Sequence, residues 1–336
     1  MKIVLHLLFA FLSVAVFAQK DTIAFKNKDV IVGEVKQLNN NVLTVSTSYS
    51  DKDFAIEFDK VVSLVLENRY SVALSNGLRM YGYVKTETPN KATIIQENNI
   101  TIEVSLNEIV VLRKIDDGFW KHFKGSFDFG YNLTRTNNSE QYTFAGVLSY
   151  YSEKWLHRAD YNQLYTSQDD VEDIKRTDWS LDTKRYLKRK WFIFSNVSFL
   201  SNTSQSLKGR LVPSVGAGNY LVRNNKLYFL LGSGLTYNIE KYEDSSTDKN
   251  STEAFLITEF NMFNFKKIDL YASVTSLPSL SEKGRFRTDA NFRFKYDLPF
   301  DFYFKTEVQI NFDNQPASGA VKTDYVFSTG FGWELK

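Results

Sequence analysis

The chain has 336 residues with 41 basic against 39 acidic, and it contains no cysteine. So even a balance excludes the strongly basic surface on which nucleic-acid binding rests, so no nucleic-acid partner is expected. The lack of cysteine excludes a disulfide framework, leaving buried area and closed hydrogen-bonded sheets to supply stability.

The chain opens with Met1-Lys2, an apolar run from Ile3 to Val16 broken only by His6 and Ser13, and "VFA" ending at Ala18. A membrane-crossing helix needs about 20 apolar residues. This shorter run with a small-residue cleavage site reads as a secretory signal peptide over residues 1–18.

Residues 19–115 are rich in Val, Ile, Asn and Lys and repeat themselves. "IAFKNKDVIVGEV" (Ile23 to Val35) aligns with "VALSNGLRMYGYV" (Val72 to Val84), placing Gly33 over Gly82 and Asn27 over Asn76. "IEFDKVVSLV" (Ile56 to Val65) aligns with "VSLNEIVVLR" (Val104 to Arg113). A period of about 48 residues of short alternating strands predicts two copies of one small β module, packed together because neither buries much alone. The order of turn, glycine-bearing strand, "LTV" strand and closing "VVxL" strand resembles Sm-like or SH3-like small barrels. Sm-like proteins often bind RNA, but a secreted chain without a basic patch points to packing or docking. The modules are expected in the periplasm, holding a periplasmic or cell-wall partner by their strand edges.

"DDG" at Asp116 to Gly118 reads as a linker, and from Phe119 to Lys336 aromatic residues become dense. "FDFYFKTEVQINFD" puts Phe300, Phe302, Phe304, Val308, Ile310 and Phe312 on one face and charged or polar residues on the other. "RFRTDANFRFKYD" does the same, with Phe286, Phe292, Phe294 and Tyr296 opposite Arg287, Asp289, Arg293 and Lys295. In a soluble sandwich the apolar face would be the core. Connections decide against that: "SEK", "LKRK", "RNNK", "NFKK" and "DLPF" alternate with longer polar stretches such as "TSQDDVEDIK" and "YEDSSTDKNST". About twelve strands of membrane-spanning length, with short turns on one side and long loops on the other, predict a transmembrane antiparallel β-barrel. Trp120, Trp155, Trp191, Tyr237, Tyr271 and Trp333 near strand ends read as interface girdles. Both chain ends then lie on the periplasmic side with the long loops outside, and strand twelve must pair with strand one because hydrocarbon leaves no water for an open edge.

Three stretches carry a family resemblance: "GSFDFGYNLTRTNNS", "LKGRLVPSVGAGNYLV" and "VQINFDNQPASGAVKTDYVFSTGFGW". Residues 119–336 resemble the salt-induced, YdiY-like outer-membrane protein family, the domain of unknown function 481. The resemblance implies an outer-membrane barrel of the Gram-negative envelope and offers no catalytic residue. The repeat pair falls outside it.

Outer-membrane lipid hydrolases pair a serine with a histidine that a third group orients. Here the mature chain has only His122, at a rim position, and His157, whose strand places no serine nearby; a non-enzymatic protein is expected. The inward-facing set is charged with both signs: Arg158, Asp160, Asp182, Arg287, Asp289, Arg293, Lys295, Lys305 and Glu307. Such a set either plugs the lumen as paired charges or lines a narrow pore for ions or small solutes. The acidic stretches Asp169 to Asp173 and Glu243 to Asp248 lack the glycine and final glutamate of a calcium loop, so no metal site or cofactor is expected. The last strand, "STGFGWEL", resembles the signal read by barrel insertion machinery through Ser328, Gly330, Trp333 and Leu335. Outer-membrane lipid and lipopolysaccharide complete the expected partners.

Overall fold

The computed structural model describes residues 20–115, 122–135, 138–169, 171–265, 267–316 and 321–334. The expected signal peptide and linker lie outside these residues, as do Trp120 and Leu335. No α-helix occurs among the described residues; the chain forms ten short strands and then twelve long ones.

The short strands are β1 (Asp21–Phe25), β2 (Val30–Asn39), β3 (Val42–Ser46), β4 (Phe54–Glu57) and β5 (Val61–Val65). They are followed by β6 (Tyr70–Leu74), β7 (Arg79–Thr88), β8 (Lys91–Ile95), β9 (Thr101–Ser105) and β10 (Ile109–Lys114). The second five repeat the first, including a 3₁₀ turn before the closing strand at Phe58–Lys60 and again at Leu106–Glu108. Each turn after the first strand closes on an asparagine: the Asp29 amide donates to Asn27 Oδ1 at 3.1 Å, and the Leu78 amide to Asn76 Oδ1 at 2.9 Å. The next residue is left-handed in both, with φ of 74° at Lys28 and 90° at Gly77. Gly33 and Gly82 also do one job. A Cβ would sit 2.5 Å from the Ser46 carbonyl oxygen in one copy and 2.7 Å from that of Ile95 in the other, so the bare backbone lets each long strand bend onto its neighbour.

The copies share one core and exchange strands. β5 pairs with β1 of its own copy and with β7 of the other, while β10 pairs with β6 of its own copy and with β2 of the other. Equivalent side chains belong to one core cluster: Ile23 and Val72, Val35 and Val84, and Leu64 and Leu112 are all fully buried. Burying side chains of this size contributes about 1.5–3 kcal/mol each before chain entropy is counted.

The long strands are β11 (Phe123–Thr134), β12 (Ser139–Tyr151), β13 (Trp155–Gln168), β14 (Val171–Tyr186), β15 (Trp191–Asn202) and β16 (Leu207–Arg223). β17 (Leu227–Tyr242), β18 (Lys249–Phe265), β19 (Ile268–Pro278), β20 (Phe286–Asp297), β21 (Phe302–Asp313) and β22 (Thr323–Trp333) complete the set. They form one antiparallel sheet in chain order. Two expectations need correction. The stretch "TSQDDVEDIK" is no long loop: β13 runs to Gln168 and β14 begins at Val171, because this hairpin is polar on both faces and so loses the alternation that marks a strand. Strand twelve does not pair with strand one: β11 and β22 share no backbone pairing among the described residues, and both are exposed along their length. Closure is a demand of hydrocarbon surroundings, whereas an edge in water is satisfied by solvent.

Candidate functional site

Register puts all nine charged residues predicted to face inward on one side of the twelve-stranded sheet. Arg158 opposes Asp182, Arg287 opposes Asp313, Arg293 opposes Glu307, and Lys295 opposes Lys305. This face is concave, since a cavity of about 520 Å³ gathers side chains from every strand between β15 and β21. The other face carries the apolar residues and leaves them bare: Phe127 is 71% exposed, Phe129 72%, Val215 59% and Phe331 65%. Trp155, Trp191, Tyr237 and Trp333 join that face, but Tyr271 does not. It opposes Arg293, whose guanidinium lies 4.6 Å from its ring centroid, so Tyr271 belongs to the charged side and not to a girdle.

Most charges on the concave face find a partner along the wall. Arg158 donates twice to Asp160, at 2.7 Å each. Asn196 donates to Asp182 at 2.8 Å, and Arg210 to Glu240 at 2.8 Å. Arg287 pairs with Glu253, which is only 1% exposed, and Asp289 lies close to both. Lys295 reaches Asp297 at 3.3 Å and Glu334 at 3.4 Å, while Gln309 donates to Glu307 at 3.1 Å. Lys295, Lys305, Glu307 and Ser328 come together around a second cavity of about 360 Å³. Glu253 and Glu240 were missed in the sequence. For Glu253 the available signal was its even spacing from Glu259 on β18, and Glu240 sits opposite Arg210.

Between these charges the wall is apolar, and glycines make room for it. A Cβ on Gly216 would meet the Phe194 ring at 2.7 Å, one on Gly218 the Phe192 ring at 2.5 Å, and one on Gly234 the Phe255 ring at 2.6 Å. The two glycines of "GAGNY" are thus small inward residues that leave room for Phe194 and Phe192, as Gly234 on β17 does for Phe255.

His157 lies on the apolar face. Its Nδ1 is 2.9 Å from Thr183 Oγ1, and its ring stacks on Trp155. The acidic residue Asp173 accepts from the Tyr165 hydroxyl at 2.7 Å within the β13–β14 hairpin, and no cluster suited to a metal ion occurs among the described residues. At the chain's end Trp333 Nε1 donates to the Phe300 carbonyl at 3.0 Å, and Gly330 lies opposite Lys305.

The repeat pair sits on the short-turn end of this sheet, and its second copy makes the contact. The Glu153 amide donates to Tyr81 Oη at 2.5 Å, and Asn225 Nδ2 to the Asn107 carbonyl at 3.2 Å. Lys190 packs so closely on Gly77 that a Cβ there would lie 2.5 Å from the Lys190 nitrogen. Arg79 lies 3.5 Å over the Tyr186 ring and Arg113 3.5 Å over that of Tyr151. These residues line a junction cavity of about 370 Å³ with His122, Tyr220, Arg223 and Tyr228. Burial drives the Arg79 guanidinium down to about 10 and lowers that of Arg113, while loss of water raises the Tyr81 phenol. None of this junction was visible in the sequence, since contacts between distant segments leave no local pattern.

The architecture defines a class: a β protein whose twelve-stranded antiparallel sheet turns charges to its concave side and aromatics outward, with a duplicated small sheet at one end. A family model described as "Protein of unknown function, DUF481" matches residues 127–334, more than half of the chain, and the chain belongs to that family. No curated protein and no solved structure gives a match.

Proposed function

We propose that the protein is a non-enzymatic outer-membrane β-barrel of envelope structure or stress adaptation. In this reading the repeat pair, akin to Sm-like or SH3-like modules, stands in the periplasm, the chain enters the envelope behind a signal peptide, and the longer loops face outward. The observation that carries it is the inverted sheet. A row of aromatic and branched side chains lies bare on the convex side while the concave side is charged, an arrangement that water penalises and lipid favours. In lipid the open edges of β11 and β22 would have to be paired or covered. The paired charges and the phenylalanines lying over glycine support a lumen that is largely plugged. Outer-membrane lipid, lipopolysaccharide and the insertion machinery are the partners, the last reading Ser328, Gly330, Trp333 and Leu335.

The chain's lack of cysteine makes labelling a clean test. On intact cells an impermeant maleimide should label Ser246→Cys in the β17–β18 loop. It should spare Val215→Cys on the convex face, and it should reach Lys28→Cys only after the outer membrane is permeabilised. Labelling of all three on intact cells would refute the topology.

A narrow pore for ions or small solutes is the second reading, favoured by the cavities of about 520 and 360 Å³ along the concave face. Planar-bilayer recordings separate the two: a plugged barrel stays silent, and steady single-channel steps establish the pore.

A further inference from the structure

Among the described residues, the junction between the two sheets holds arginines that no carboxylate pairs. Arg79 and Arg113 come from the second repeat and Arg223 from the short-turn end of β16, while Lys184 on β14 lines the neighbouring cavity beside Glu259. Tyr186 lies within electrostatic reach of all four. Among the described residues no salt bridge reaches any of them. Arg113 Nε is buried without a hydrogen-bond partner. Glu259, the carboxylate near Lys184, already accepts the hydroxyl of Tyr228.

Tyrosine rings supply part of what water would have given these cations. Arg79 and Arg113 each lie over a ring, and Arg223 lies 4.6 Å from that of Tyr220. Cation–π contact offsets only a fraction of the desolvation of a guanidinium, and an arginine does not escape by shedding its proton at neutral pH. Equivalent positions of the first repeat carry no such charge: Val30 stands where Arg79 does, and Val65 where Arg113 does. These two junction positions are thus arginine in the second copy alone.

We propose that the junction cavity is a binding site for a phosphate-bearing anion, gripped by Arg79, Arg113 and Arg223. The guanidinium fork matches phosphate oxygens bidentately, and several unneutralised cations call for an anion of more than one charge. A volume of about 370 Å³ suits a phosphorylated small molecule or a phospholipid headgroup. Such a site needs only the contact between the two sheets, whether or not the larger one crosses a membrane.

Calorimetry and ³¹P NMR on the full chain in an uncharged detergent test it. One arm adds pyrophosphate, a second adds micelles doped with phosphatidylglycerol, and a third adds citrate. Saturable binding of pyrophosphate, weakened at least tenfold in Arg79→Gln/Arg113→Gln, supports the site and a soluble source. Binding of the doped micelles alone with the same sensitivity supports the site and a headgroup source. Arg223→Gln, on the other sheet, should weaken binding by a similar factor, and it carries the test if the double variant does not fold. Arg185→Gln, on the convex face, should leave binding unchanged. Tighter binding of citrate than of either phosphate, no binding at all, or binding indifferent to both cavity variants would overturn the proposal.

Discussion

Tyr70 and Asp21 hold the same position in the two copies of the repeat, and the hydroxyl of one lies 2.8 Å from the carboxylate of the other. Asp21 is fully buried. It also accepts from the amides of Val35 and Glu67, at 2.8 Å each. One carboxylate thus ties the first strand of copy one to the second strand of that copy, to the link between copies, and to the first strand of copy two. Asp21→Ala strands one buried and one half-buried amide donor and should cost about 3 kcal/mol, whereas Tyr70→Phe should cost about 1 kcal/mol. Hydrogen exchange at the Val35 and Glu67 amides reports it: both should speed up in Asp21→Ala, and unchanged protection would contradict this role.

Lys28 and Gly77 share a left-handed backbone, yet only one of them touches the larger sheet. Lys28→Gly should therefore be nearly neutral. Gly77→Ala must push Lys190 away, and Gly77→Lys should separate the two sheets outright. Trypsin cleavage after Lys190 provides the measurement, with the order of rates expected to run from wild type through Gly77→Ala to Gly77→Lys.

Glu253, fully buried, pairs with the half-buried Arg287 on the concave wall. Removing only the carboxylate leaves Arg287, one-third exposed, to Asp289 and solvent, so Glu253→Ala should lower stability by about 1–3 kcal/mol. The double change Glu253→Leu/Arg287→Met should recover most of that loss. All five tryptophans lie outside residues 20–115, so tryptophan fluorescence during urea unfolding follows the larger sheet selectively.

Acid should loosen the β17–β18 loop. Asp248 is held below the ordinary carboxylate value of 3.8 by Lys241, at 2.8 Å, and by the Tyr242 amide, at 3.0 Å. A carboxyl whose folded-state value is depressed stabilises the fold above its ordinary value, and that help fades as pH falls through the lowered one. Exchange of the Tyr242 amide, corrected for the intrinsic rate, should therefore rise below pH 3.8 and not between pH 5 and 7. Asp248→Asn should show the faster exchange at every pH.

The free edges of β11 and β22 make a further expectation concrete. Cysteine pairs scanned between Phe127–Tyr131 and Tyr325–Phe331 should crosslink in lipid vesicles at a single register. Failure of every pair there would mean that the seam stays open in lipid.

How far the sequence carried this reading depended on whether a feature was local. Alternation along "FDFYFKTEVQINFD" is local, and the strand, its facing and its neighbours were legible in it. The repeat was legible as well, since Gly33 and Gly82 answer to the same steric demand. The β13–β14 hairpin was misread because Asp173 and Lys175 keep the strand going without an apolar partner face. Arg79 and Arg113 were passed over because each looks like any surface arginine until β14 and β16 arrive beside it. Glu253 was overlooked for a similar reason: its burial comes from Arg287, 34 residues away.

The reciprocal pairing of β5 with β7 and of β10 with β2 bears on what half of the repeat would do alone. Residues 20–66 would present two raw strand edges that fit each other, so two such peptides should join head to head about a twofold axis. What the full chain does within itself, a fragment of this kind would do as a homodimer, and a duplication that fused two such partners would yield the arrangement seen in residues 20–115.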